Sequence, residues 1–333
     1  MPTHKRFSML VPFMTRGLFH PLAVVAMVTT GCTSTSPEVD PTDDEVTSTE
    51  TDTSDDSEEE ETTSQTGGVA DPIGGCVISD ASGFVPDDLY SNTGVFQTDE
   101  YLPFTKAITV RGITLLGRPE NEDAFMEKVA TAIEEILPEG KPELDASLQE
   151  QMISAMYAHS TAIPFFKGDD DINLTDSEWD QFDEMVDNNS VCDVIFEYGG
   201  QGQTMEVVEH ILHHMTMIGL HYVFYGDWGV NRKSSHYFHM EDARTNGWYN
   251  ANYGPPNSDE SLRIYLQEYA YWVISSEWDI QESYGGDFGG GEWTLTTPTL
   301  IETHQPGLHK MYQQTIQTLM QPPSPDTLSW FEE

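Results

Sequence analysis

Five titratable side chains crowd one short stretch: Glu206, Glu209, His210, His213 and His214. On a helix, residues four apart share a face, so side chains at that spacing can grip one divalent cation. Two registers are open. In one, His210 and His214 are the ligands, but the adjoining position that should take a proton is Ile211, which cannot. In the other, Glu209 and His213 are the ligands, and His210 stands where a general base is needed. The second register fills every role, with zinc as the cation and Glu206 as a further proton acceptor acting through a water. A third ligand is normally required. Glu268 supplies one, from the middle of the largely apolar stretch Leu262 to Trp278, where a carboxylate is costly unless paired or metal-bound. A structural reading uses the same residues. Glu206–His210 and Glu209–His213 can be plain ion pairs or hydrogen bonds, and Glu268 can pair with Arg263 or Arg244.

These residues need elements to carry them. At 100° per residue, Thr204 to Tyr222 places Val207, Val208, Ile211, Leu212, Met215, Ile218 and Tyr222 in one arc. The acids and imidazoles fall opposite, with Met217 and Leu220 among them. Such a helix is covered on both sides, and its imidazoles need partners. Thr204 is placed to cap it. Upstream, the pattern predicts a strand over 107–116, a helix over 121–137, a second helix over 148–157, a short strand or loop over 162–166, and a strand over 191–198. Downstream it predicts a helix over 261–278 and one or two terminal helices over 299–319. His236 and His239 form a second HxxH pair and read as loop residues. Thr175 to Glu178 reads as a capping box. The preceding Asp169-Asp170-Asp171 is like the opening of an EF-hand loop, without its sixth-position glycine or twelfth-position Glu. The aromatic residues between 222 and 293 read as core, and Gly285 to Gly291 as a flexible loop. The class is α+β, mostly helical with a small sheet.

The segment Glu209-His210-Ile211-Leu212-His213 resembles the zincin motif H-E-x-x-H with its first two residues exchanged. With Glu268 on a later helix it resembles the gluzincin group. Tyr253-Gly254 followed by Gln267-Glu268-Tyr269-Ala270 is similar to the anthrax-lethal-factor-like branch. The resemblance runs from Glu206 to Trp278. It implies a zincin-like fold, zinc as cofactor and peptide or protein substrates, with Tyr253 or Tyr265 stabilising an oxyanion. The exchanged pair departs from the family pattern and bears on peptidase activity more than on metal binding.

The first third of the chain is an address and a tether. Lys5, Arg6 and Arg16 precede the apolar run Leu18 to Val28, then Thr29-Thr30-Gly31-Cys32, the parts of a secretory signal. The small residues before Cys32 resemble the lipobox of bacterial lipoproteins, with Thr29 where Leu or Val is usual. That resemblance implies acylation of Cys32 and export to the bacterial envelope on a lipid anchor; an ordinary signal peptide is the alternative. Residues 1–32 are thus read as signal, 33–70 as a disordered acidic Ser/Thr linker, and 71–333 as the globular domain. The formal net charge is −43, which excludes nucleic-acid binding through phosphate contacts and disfavours docking on an anionic membrane surface. No apolar run is long enough to span a bilayer. Cys76 and Cys192 can pair in an oxidising compartment or remain buried thiols. No Ser/His/Asp or Cys/His triad is signalled. Two functions follow: a lipid-tethered metallohydrolase acting on peptides, or a non-catalytic surface lipoprotein that binds a protein or carbohydrate partner.

Overall fold

The β-branched run expected to form one strand folds back on itself. After a two-residue strand β1 (Phe96–Gln97), the chain forms β2 (Lys106–Val110) and β3 (Ile113–Gly117), an antiparallel hairpin. Its turn residues Arg111 and Gly112 both take positive φ, 49° and 83°, the geometry that matches strand twist in a two-residue hairpin. The alternating pattern continues through the turn, so periodicity alone reads it as one strand. The structure, a computed structural model, describes residues 76–77, 80–168, 172–199, 202–255, 257–285 and 291–332. The expected signal, Cys32, the linker, Asp169–Asp171 and residues 286–290 of the glycine-rich loop lie outside them.

Two helices follow the hairpin, α1 (Asp123–Ile136) and α2 (Ala146–Ala158), then β4 (Thr161–Phe166), α3 (Asp176–Asn188) and the short β5 (Ile195–Phe196). The expected strand over 191–198 thus shrinks to two residues. The strands form one sheet in the order β1-β2-β3-β4-β5, antiparallel through β3 and parallel from β3 to β5. Side chains alternate between its faces. Ile108, Val110, Ile113, Leu115, Ile163 and Phe165 enter the main core, with residues of α1 and α2. Ala107, Leu116, Ala162 and Phe166 face a smaller cluster completed by Phe182 and Met185 of α3. The capping box expected at α3 is present, with Thr175 and Glu178 bonded reciprocally.

The remaining elements are helical: α4 (Gln203–His214), a π-helical segment (Met215–Leu220), α5 (His221–Val223), α6 (Tyr225–Trp228), α7 (Ser235–Thr245), α8 (Asp259–Glu277), α9 (Pro298–His304), α10 (Pro306–Gln314) and α11 (Pro325–Ser329). The fold is therefore α+β, mostly helical with a small mixed sheet. Helix α4 packs between the sheet and α8, which brings two helix faces bearing buried acids together. Tyr249, Tyr269, Trp228 and Trp293 are core residues, as the aromatic-rich stretch suggested. No helix among the described residues is long and apolar enough to cross a membrane.

Candidate metal centre

Helix α4 starts two residues earlier than a Thr204 cap would set it. Gly202, at φ 89°, is the N-cap, a conformation that glycine adopts without penalty. Thr204 lies inside the helix and donates to the Leu328 carbonyl instead. The helix then passes without a break into the π-helical turn after His214. A π segment inserts an extra residue per turn and often adjoins functional sites. The 100° spacing that placed Ile218 and Tyr222 on the apolar arc does not survive it. His221 accepts the Val230 N–H at its Nδ1 and belongs to the fold's framework.

Glu209 and His213 project from α4 toward Glu268 on α8. Ligand-capable atoms of these three residues all lie within 4.8 Å of one another. His213 is fully buried, and its Nε2 has no hydrogen-bond partner. It faces Glu268 Oε1 at 3.6 Å and Glu209 Oε1 at 3.8 Å. Hydrogen bonds between nitrogen and oxygen end near about 3.2 Å. Two ligand atoms on one zinc ion, with bonds of about 2.0–2.2 Å, stand roughly 3–4 Å apart. The spacing is compatible with a shared cation as well as with a His–Glu ion pair. The donor types, two carboxylate oxygens and an imidazole nitrogen, are ordinary zinc ligands.

The other face of His213 is held. Its Nδ1 lies 3.0 Å from Asp193 Oδ2 and 3.0 Å from Gln267 Nε2. The two contacts demand opposite protonation, since Asp193 accepts a proton from Nδ1 and Gln267 donates one to it. The carboxylate bond is charge-assisted and the stronger, so the site favours the Nδ1–H tautomer, which turns a lone pair at Nε2 toward the acids. Carboxylate–histidine pairs of this kind orient metal-binding imidazoles. Asp193 is itself steadied by the Val194 N–H on Oδ1 at 2.8 Å. Its neighbour Cys192 forms a disulfide with Cys76, which settles the pairing that sequence left open.

His214 takes no part. Its Nδ1 donates to the His210 carbonyl at 2.7 Å, and its Nε2 accepts the Cys192 N–H at 3.0 Å. Burial pushes its pKa down to about 4, so it is a neutral brace, and His214 has no free nitrogen to offer the His210–His214 register. His210 is nearly buried, with Nδ1 unpartnered and Nε2 3.6 Å from Asp193 Oδ2 and 3.9 Å from Glu206 Oε2. Neither Arg263 nor Arg244 contacts Glu268 directly, although the buried Arg263 charge acts on Glu268 and Asp193 from a distance. Arg263 donates to Gln267 Oε1, while Arg244 pairs with Glu241 and lies over the Tyr265 ring. Among the described residues, no lysine or arginine nitrogen comes within 4.0 Å of Asp193, Glu206, Glu209 or Glu268.

Tyr253 donates its hydroxyl to Glu292 Oε1. Tyr265 braces the turn, its hydroxyl accepting the Tyr253 N–H and donating to the Gly254 carbonyl, each at 3.1 Å. Burial and then Glu268 push the Tyr253 pKa far up, so the phenol stays a donor. His236 and His239 lie on α7, not on a loop; Ser234 caps that helix through its hydroxyl. No third ligand joins them among the described residues.

The electrostatics agree with the geometry. Burial, then Glu268 and Glu206, hold the Glu209 pKa well above the carboxylate range. Burial opposes charge on His213, yet Glu268 and the Asp193 hydrogen bond drive its pKa up to about 9. Burial likewise opposes charge on Asp193, but His210 and His213 hold its carboxyl far below normal. The pocket demands positive charge, which protons on Glu209 and His213 or a divalent cation can supply.

Sequence reasoning missed Asp193, Gln267 and Glu292. The first sits in a loop, and only its place beside Cys192 marks it. A depression of about 780 Å³ lined by Phe84, Tyr101, Thr114, Met185 and Asn189 contains none of the site residues. No protein-family model, no curated protein and no solved structure matches the chain. The chemistry of the centre is therefore read from its own side chains.

Proposed function

We propose that the chain is a zinc-dependent hydrolase acting on peptides, exported and held at the bacterial envelope by a lipid on Cys32. The observation that carries this reading is the buried, unpartnered His213 Nε2, facing Glu209 and Glu268 at ligand spacing, with no arginine or lysine nitrogen within 4.0 Å of either acid among the described residues. Glu209, His213 and Glu268 hold the metal. When bound, zinc supplies a Lewis acid and lowers the pKa of a coordinated water. The chain's own groups supply the rest. Asp193 fixes the His213 tautomer. His210, one residue beyond Glu209, has an unpartnered Nδ1 that can take a proton, and Glu206 can do so through a water. Tyr253 is a neutral donor suited to a developing oxyanion once its hydroxyl leaves Glu292. The acidic linker serves as a spacer between anchor and domain.

The test is metal analysis of the full chain after dialysis, with peptide-library cleavage alongside. The expected result is stoichiometric zinc that is lost in His213→Ala and Glu268→Ala, with cleavage blocked by a chelator and restored by zinc. A protein that holds no metal, and whose melting is unmoved by added zinc, overturns the reading and leaves the partner-binding lipoprotein as the alternative.

A further inference from the structure

We propose that Glu292 is the subsite for a protonated amine of the substrate, held by the Tyr253 hydroxyl until that amine arrives. Resting on the hydrolase reading, this names the substrate class: peptides that carry an ammonium group beside the scissile bond. The position is preformed by backbone pairing. The Asn250 N–H donates to the Glu292 carbonyl at 2.7 Å, the Thr294 N–H to the Trp248 carbonyl at 3.1 Å, and Tyr249 bridges Trp293. This ribbon is fastened to α8 at Tyr265. The Tyr249 hydroxyl donates to the Tyr265 carbonyl, and the Tyr253 and Tyr265 rings stand 5.2 Å apart. Tyr265 lies one helical turn before Glu268, hence on the same helix face. Glu292 is within reach of that acid's charge: burial raises its pKa, the Tyr253 bond lowers it, and Glu268 raises it again.

A second observation is independent of the acids. Trp272 stands one helical turn beyond Glu268 and borders the Glu292 carboxylate. It is 4% exposed, yet its indole Nε1 has no hydrogen-bond partner. A buried N–H left so is rare, because its desolvation is uncompensated. The two groups complement neighbouring parts of a peptide: Glu292 accepts from an ammonium, and the Trp272 N–H donates to a carbonyl oxygen close by. Glu292 accepts only a neutral group at rest, the Tyr253 hydroxyl. Among the described residues, no lysine, arginine or histidine nitrogen lies within 4.0 Å of it.

Zinc at the metal centre offsets Glu209 and Glu268 but not Glu292. Both Glu292 and Tyr253 are half-buried, so substrate can reach them. A protonated amine makes the stronger, charge-assisted bond and replaces the hydroxyl on Glu292. The displaced Tyr253 hydroxyl is then free for the developing oxyanion. A substrate without the amine leaves Tyr253 on Glu292, so recognition and catalysis share one exchange of partners.

The experiment uses the full chain loaded with zinc and fluorogenic peptides of one length. One kind has a free N-terminus and no lysine, the next is N-acetylated with a single lysine at each position in turn, and the last is N-acetylated with norleucine in its place. At least one ammonium-bearing peptide should exceed its norleucine counterpart in kcat/KM by about 10–100-fold, the worth of a hydrogen bond to a charged group. The better of the two kinds tells whether the N-terminus or a side chain supplies the amine. Glu292→Gln, which keeps an oxygen for Tyr253, should bring the ratio close to one at unchanged zinc content, and Glu292→Asp, which keeps the charge, should retain part of it. A wild type that binds zinc and cleaves all the peptides alike, or a ratio that survives Glu292→Gln, overturns the amine subsite and leaves the hydrolase standing. A chain that binds zinc and cleaves none overturns the subsite and the hydrolase reading but leaves the metal centre. A chain that binds no zinc overturns all three.

Discussion

Two buried acids in this molecule are treated in opposite ways. Glu197, with its side chain 3% exposed, accepts from Lys167 Nζ at 2.6 Å, from Asn121 Nδ2 at 3.1 Å and from the Glu122 N–H at 3.0 Å. The lysine also contacts Glu122 and lies over the Tyr198 ring. Both carboxylate oxygens there are answered within the chain. Glu268, with its side chain 7% exposed, has one basic neighbour, His213, at a distance too long for a hydrogen bond. A self-neutralised acid is part of a framework. Glu268 is answered only by the His213 ring and the more distant charge of Arg263, an arrangement that the proposed metal would complete.

The largest test of this contrast removes the lysine. Lys167→Met strands a buried carboxylate and should destabilise the fold by about 3–5 kcal/mol in a urea melt. Glu268→Gln, measured without added metal, should leave stability unchanged or raised, because it relieves the crowding with Glu209. Equal losses in the two variants would erase the distinction. Next, zinc at a hundredfold excess over its Kd should stabilise the wild type by about 2.7 kcal/mol and His213→Ala not at all, by calorimetric melting. Asp193→Asn should lower zinc affinity at the His213 position by about 10–100-fold, read by competition with a chelating dye.

The smallest effect is the dependence on pH. The folded-state pKa of His213 is raised from 6.5 to about 9. Its protonated contribution to stability in metal-free protein is therefore complete below pH 6.5 and lost as pH rises through about 9. Melting of chelated wild type should soften across that window, and His213→Asn should flatten the profile. Zinc competes with the same proton, so affinity should rise up to roughly tenfold per pH unit below that value. The Lys167–Glu197 pair should be indifferent here, since the lysine pKa is raised and its contribution fades only in strong alkali.

How much of this was legible follows from how local each signal was. The apolar stripe of α4 and the acid in the middle of α8 are properties of single helices, so spacing paired Glu209 with His213 and the cost of burial singled out Glu268. The boundaries of α1, α2 and α8 were close for the same reason. The hairpin turn was hidden because Arg111, not a second glycine, takes one of its positive φ angles. The π-helical turn was hidden because Met215 to Leu220 is apolar in either geometry. Asp193 reaches His213 across the fold from a loop, and Gln267 reads as one polar residue on a buried helix. Those roles exist only once α4 and α8 are packed. Helix α7 escaped because its short amphipathic pattern is weak, and its Ser234 cap was not weighed.

The Cys76–Cys192 bond joins the start of the described fold to the residue beside Asp193. Any mechanical load carried along the chain ahead of Cys76 therefore enters the globule at Cys192, one peptide link from the carboxylate that steers His213. The covalent strap thus gives such a load a direct route to the loop that carries Asp193.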